Sequence, residues 1–149
     1  MNGADPTPAS PPGPDHAPVV VQWAGDYREL LKAGSGPSIH DHLGVVPVEA
    51  RTAVAYYLEG GAHIGAVPGL ERSVLGDSDV WLECNLLSDG QYVWRGWLAY
   101  YVLKYGVAVP EDLVARAVAG VRPDHELAPE EWARVKAWLE VQNAQEAMW

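Results

Sequence analysis

The sequence predicts an α+β fold, with about five helices packed around a small antiparallel β-hairpin or sheet. Three observations lead there. Apolar residues recur at helical spacing in segments that begin at proline and end at glycine. Residues 80–95 form two strand-like runs on either side of Ser88-Asp89-Gly90, a turn signal. The chain of 149 residues is 48% hydrophobic, enough for one domain with its own core.

The elements follow in order. Residues 1–18 hold six prolines and almost no large apolar side chain. Proline lacks an N–H donor and fixes φ, so a disordered, extended Pro-rich tail is expected there. A single globular domain is expected over 19–149. Val19–Trp23 reads as a short strand. Asp26 then opens DYRELLKAG, where Asp26 and Glu29 fit a capping box and Gly34 a C-terminal stop. Tyr27, Leu30 and Leu31 would share the buried face of that helix. After the loop GSGPSIHDHLGVV, Pro47 starts PVEARTAVAYYLEGG. Ala50, Val54, Tyr57 and Leu58 form its inner stripe, and Gly60-Gly61 ends it. Ala62–Val67 is expected as a strand and Leu70–Leu75 as a short helical turn.

Val80–Leu87 and Gln91–Arg95 read as a hairpin with two possible registers. A two-residue Asp89-Gly90 turn pairs Leu87 with Tyr92 and Asn85 with Trp94. A three-residue turn with Gly90 left-handed shifts the pairing by one. The second register is favoured, because it sets Glu83 opposite Arg95. It also gathers Val80, Leu82, Cys84, Leu86, Tyr92 and Trp94 on one face. Beyond it, Trp97, Leu98, Tyr101, Val102 and Tyr105 follow a helical stripe that Gly106 ends. Pro110 restarts a helix that stops at Gly120. Pro129 starts the longest helix, with Trp132, Val135 and Leu139 inward and Trp138, Val141 and Met148 widening the stripe.

Seven Trp, seven Tyr and no Phe supply the large rings. Each of those rings carries a polar atom that needs a partner once buried. Twenty acidic residues against ten basic ones give a formal charge of -10. That balance disfavours nucleic acid and anionic membrane surfaces and suits a basic protein partner. No basic and apolar leader is visible at the N-terminus, and no run approaches the length of a membrane span, so a cytoplasmic location is expected. Cys84 is the only cysteine.

Catalytic and metal motifs are sparse. His40-Asp41-His42 is an H-x-H pair, with His63 and Cys84 as candidate further ligands, and Asp77-Ser78-Asp79 is a D-x-D. Neither has a second element at metal spacing, so loop roles are expected and neither metal nor cofactor. No nucleotide-binding or hydrolase motif is present. Cys84 on an apolar strand face is expected to be inert. No catalytic residue is assigned.

One stretch resembles known proteins. Asp89-Gly90, Tyr92 and Trp94 are followed by Leu98-Ala99-Tyr100-Tyr101-Val102, then by Tyr105 and Val109-Pro110-Glu111. The pattern resembles small uncharacterised bacterial proteins with a D-G-x-aromatic-x-W hairpin, a Y-Y-V helix and an L-P-E-like helix start. Some of those look like the immunity proteins that accompany polymorphic toxins. The resemblance covers roughly residues 46–119, with Val109 in place of the usual leucine. It implies a shared fold and no catalytic residue.

Together these features favour a cytoplasmic protein-binding domain, an immunity- or antitoxin-like inhibitor of a basic partner. Asp77, Asp79, Glu71 and Glu83 would meet the partner's basic groups. Trp81 and Tyr100, which fall outside the core stripe, would be anchors, with Trp149 at the free end. One alternative is a small-molecule-binding protein or enzyme, with a pocket of Trp94, Trp97, Tyr101, His63 and Cys84. Another is an accessory subunit of a larger assembly, which predicts a large apolar patch.

Overall fold

The computed structural model describes residues 20–30, 36–65, 70–76, 79–123 and 126–146. The proline-rich stretch, Asp77, Met148 and Trp149 lie outside the described residues, as do 31–35. The fold is α+β. Strands β1 (Gln22–Trp23), β2 (Ala62–Gly65), β5 (Leu86–Ser88) and β6 (Tyr92–Arg95) form a mixed sheet in the order β1-β6-β5-β2. Strands β3 (Leu70–Arg72) and β4 (Trp81–Glu83) form a separate antiparallel pair. Helices α1 (Val48–Glu59), α2 (Leu98–Tyr105), α3 (Glu111–Val118) and α4 (Pro129–Glu146) complete it, with a 3₁₀ turn at Ile39–His42.

Among the described residues four α-helices replace the five expected. In DYRELLKAG, where the fifth was expected, the described residues 26–30 hold only a turn at 28–30, and 31–34 lie outside the described residues. Glu29 does not cap its own segment. Its carboxylate accepts from the Ser38 hydroxyl and from Ile39 N–H, 2.8 Å away, and so closes the N-terminus of the 3₁₀ turn. Burial alone would raise the Glu29 carboxyl, but these hydrogen bonds outweigh it and hold it at about 2. Pro47 and Pro110 stand one place ahead of their helices, with ψ of 146° and 139°. Gly106 and Gly120 end α2 and α3 at positive φ, as their positions in sequence imply.

The sheet is buried on both faces. Period-two alternation sends Tyr92 and Trp94 to one side and Val93 to the other. On the first side they meet Leu87, Val54, Tyr57 and Leu58, then Leu98, Tyr101 and Leu113 of the next two helices. On the second side Val93 packs with Val21 and with Val135 of α4, while Trp23 stands edge-on to Trp138 at 5.1 Å. The expected interior rings are therefore inside: Tyr92, Trp94 and Tyr101 are exposed by 6%, 1% and 1%. The expected α4 stripe is inside only in part. Trp132, expected inward, and Val141, expected to widen the stripe, are both exposed, whereas Trp138 of the widening set packs beside Val135 and Leu139, because the helix touches only one narrow strip of the sheet.

Both expected hairpin registers are overturned. Leu86 pairs with Arg95, Leu87 with Trp94 and Ser88 with Val93. The turn therefore centres on Gly90-Gln91, with Gly90 at φ 96°. Side chains select it. Asp89 Oδ1 accepts from Gln91 N–H at 3.0 Å and Tyr92 N–H at 2.8 Å. Ser88 Oγ accepts from Gly90 N–H and donates to Tyr92 O. Glu83 consequently does not oppose Arg95. Arg95 lies over the Trp23 ring at 5.7 Å, and its guanidinium donates to Cys84 O. The expected long strand 80–87 breaks at Cys84-Asn85, and its first half pairs with Leu70–Arg72, the segment expected to be helical. Val74 and Leu75 reach the core after the strand has ended, and Val74 N–H donates to Tyr101 Oη.

A core without Phe has to place its polar ring atoms, and this one does. Trp94 Nε1 donates to Leu58 O at 3.0 Å, Tyr57 Oη to Asp89, Tyr92 Oη to Asp112, and Tyr105 Oη to Leu75 O. Tyr27 Oη donates to Ala108 O. Trp97 Nε1 is the buried ring nitrogen without a partner among the described residues.

Two predictions follow from this packing. A Cβ on Gly61 would lie 2.6 Å from a Trp94 ring carbon and 3.2 Å from Ser88 O. Gly61→Ala should therefore lower unfolding free energy by about 1–3 kcal/mol in denaturant titration. The second concerns pH. Burial, then a neighbouring carboxylate, pushes the phenols of Tyr27, Tyr57 and Tyr92 from 10.0 to about 12. The folded state holds these protons more tightly than the unfolded state. Their contribution to stability is complete below pH 10.0 and is lost as pH climbs towards about 12. Spectrophotometric titration should show late-ionising phenols, with the denaturation midpoint falling in the same window. All seven tyrosines ionising together near their unfolded value would contradict the placement.

Candidate functional site

The expected binding residues sort into three groups. Trp81 is exposed by 51% on the β3–β4 pair. Directly opposed residues of an antiparallel pair share a face. The pairings Leu70–Glu83 and Arg72–Trp81 therefore put Leu70, Arg72, Trp81 and Glu83 on one side, with Glu71 and Leu82 on the other. Leu82 faces the core, so the first side is the outer one. Arg72 stacks on the Trp81 ring at 4.8 Å, which fixes the indole and covers part of it. Leu70 beside it is also largely exposed. Glu71, Glu83 and Asp79 are exposed.

Tyr100 belongs elsewhere. It is half-buried, edge-on to Tyr101 and Tyr105, and its hydroxyl accepts from Lys104 Nζ at 3.2 Å. It is part of the α2 packing rather than a free anchor. Asp77 falls outside the described residues.

The histidines and the cysteine do not converge. His40 and His42 sit on the 3₁₀ turn, where the His42 ring lies against Tyr27 and its Nδ1 is 3.1 Å from Ser38 O. His63 is on β2 and Cys84 is buried after β4. Among the described residues no group of three or more His, Cys, Asp or Glu side chains is placed to hold a metal. Burial first, then Glu71 nearby, pushes the Cys84 thiol up, away from the thiolate form that reacts.

What the structure adds is a groove. Glu59 at the end of α1, His63 on β2, Glu83 at the end of β4 and Asn85 surround a cavity of about 260 Å³. Its apolar floor includes Leu87, Trp94 and Ala99. Of the rings proposed for a small-molecule pocket, only Trp94 lines it, together with His63; Trp97, Tyr101 and Cys84 lie in the core. Glu59, His63 and Glu83 are exposed, and neither Glu59 nor Glu83 has an ion-pair partner among the described residues. Glu83 connects the groove to the outer β3–β4 face, so the two form one continuous surface.

Glu59 was missed in the sequence because it reads as an ordinary last residue of a helix. Its proximity to Glu83 depends on β2 and β5 pairing antiparallel beneath it. Only the acidic character of the patch was visible beforehand. Beyond the groove, Trp132 joins Glu126 and His63 around a smaller cavity of about 200 Å³.

Among the described residues no helix is long and apolar enough to cross a membrane. Comparison with protein-family models, with curated proteins and with solved structures found no match.

Two indoles, Trp94 and Trp97, are exposed by 1% and 2%, whereas Trp81 is open. Trp81→Ala should change stability by no more than about 0.5 kcal/mol, as for a surface substitution. It should also remove a large share of the acrylamide-quenchable fluorescence. Unchanged quenching in that variant would place Trp81 indoors and remove it from the surface.

Proposed function

We propose that the protein is a docking domain for a basic protein partner, and that it acts as an immunity- or antitoxin-like inhibitor by covering that partner. The observation that carries this reading is the groove of Glu59 and Glu83. Two exposed carboxylates, without ion-pair partners among the described residues, stand over an apolar floor beside a fixed, open tryptophan. A lysine or arginine side chain has the matching form, an aliphatic stem ending in a cation. Its stem would lie on Leu87 and Trp94 and its head between the carboxylates. Trp81 and Leu70 would cover an apolar patch alongside. The net charge of -10 would speed the encounter and make it salt-sensitive. The inhibitory part of the reading is suggested by the resemblance of residues 46–119 to small bacterial proteins, some of them immunity-like, which bears on fold rather than on activity. Inhibition on this scheme is steric and electrostatic and needs no chemistry from the domain.

Affinity capture from the native host tests the reading. The wild-type domain should retain a stoichiometric basic protein at low salt and release it as salt is raised. Trp81→Ala should weaken that complex by about 2 kcal/mol or more, the loss typical of a central anchor. Glu59→Lys with Glu83→Lys should abolish capture while leaving the circular dichroism spectrum unchanged. Capture of no basic protein, or capture indifferent to both changes, would overturn the proposal.

A further inference from the structure

A second cavity, of about 300 Å³, shares no lining residue with the acidic groove. It lies between the β5–β6 turn, α3 and α4, and Arg116, Arg122 and Arg134 all line it. The chain has only ten basic residues against twenty acidic ones, so three arginines from three segments on one cavity are out of keeping with its overall charge.

Two carboxylates line the cavity as well, and each accepts hydrogen bonds from the fold. Asp89 Oδ1 accepts two backbone N–H groups, and its Oδ2 accepts from Tyr57 Oη at 2.7 Å and Arg116 at 3.2 Å. Glu131 Oε1 accepts from Ala128 N–H at 2.9 Å at the start of α4. Asp89 thus neutralises Arg116, with Asp112 adding a contact at 3.7 Å. Arg122 and Arg134 are left. Neither has an ion pair among the described residues. The Arg122 guanidinium lies over the Tyr56 ring, 3.8 Å from its centroid. Arg134 Nε is buried with no acceptor among the described residues. A buried donor without a partner is destabilising, and this one belongs to a side chain that lines the cavity.

We propose that this cavity binds a phosphate oxyanion, either free or carried as a small monoester. Planar guanidinium groups pair with oxyanions in a two-point fork. A carboxylate offers two oxygens and satisfies one fork. A phosphate offers three as a monoester and four when free, enough to bridge the forks of Arg122 and Arg134. Val121 and Pro123 supply an apolar wall for a compact organic substituent. The cavity is at the small end of ligand sites, which excludes a large nucleotide from full enclosure.

The test is an NMR titration of the full chain at constant ionic strength with inorganic phosphate, methyl phosphate, acetate and chloride. The amides of Gly90 and Gln91 and the Nε–H signals of Arg122 and Arg134 are followed. Phosphate or methyl phosphate should shift these resonances saturably. Arg122→Gln and Arg134→Gln should each weaken binding at least tenfold, and Lys136→Gln, exposed on the same helix as Arg134, should bind as wild type. Tighter binding of methyl phosphate identifies a phosphorylated small molecule as the source; equal binding identifies free phosphate. Arg122 is exposed, so its variant should fold normally even if Arg134→Gln does not. Shifts no larger than those with chloride, acetate matching phosphate, or wild-type affinity in both glutamine variants would overturn the proposal.

Discussion

The structure depends on one buried carboxylate. The Asp89 side chain is exposed by only 4%, and a charge in that position must be fully hydrogen-bonded. It accepts four groups: two backbone amides of its own turn, the Tyr57 phenol of α1 and the Arg116 guanidinium of α3. One residue thereby sets the hairpin register, seats α1 against the sheet and locks α3 over α1. Had the turn slipped by one residue, the carboxylate would have lost its two amide donors and the alternation of Tyr92, Val93 and Trp94 would have reversed. Both losses oppose the slip, so local hydrogen bonding and core packing agree on one answer.

That register explains why the sheet has two occupied faces. Trp94 reaches back to Leu58 O and leaves room for nothing but glycine at position 61. Val93 on the reverse side meets Val135, so α4 closes a second layer. Using Trp and Tyr throughout means that the core is stitched to backbone and carboxylates by its ring polar atoms. Such a core resists rearrangement, since moving a ring breaks a hydrogen bond as well as contacts.

The same hairpin separates two kinds of charge. Its open end, at Asn85 and Gly96, borders the groove of Glu59 and Glu83. Its turn, at Gly90 and Gln91, borders the arginine cavity. A chain of strongly negative net charge thus gathers three arginines, set among Asp89, Asp112 and Glu131, at one end of a short β-ribbon. Net charge describes long-range attraction; the two cavities describe what each end can hold.

Several features were legible in the residues themselves. Pro47, Pro110 and Pro129 mark helix starts, and Gly106 and Gly120 mark ends, because the restraint lies within the residue. The inward rings of Tyr92, Trp94, Trp97 and Tyr101 followed from spacing, since period alone chooses a face. The α+β class, Trp81 at the surface and the acidic character of its neighbours were readable for the same reason. Where partners distant in sequence decide, the residues were silent. Glu29 looks like part of its own capping box but closes a turn ten residues on. Leu70–Arg72 looks helical but is drawn into a strand by Trp81–Glu83. The long strand 80–87 divides at Cys84 because its halves find different partners. Tyr100, expected outside, is held by Tyr101 and Tyr105, and Arg122 and Arg134 become neighbours only when α4 docks. Local sequence determines where a helix begins and which way a ring points, because those are properties of adjacent bonds. Register, strand partners and the convergence of charged side chains were decided by tertiary structure, because each is a competition among hydrogen-bond partners that meet only after the chain has folded.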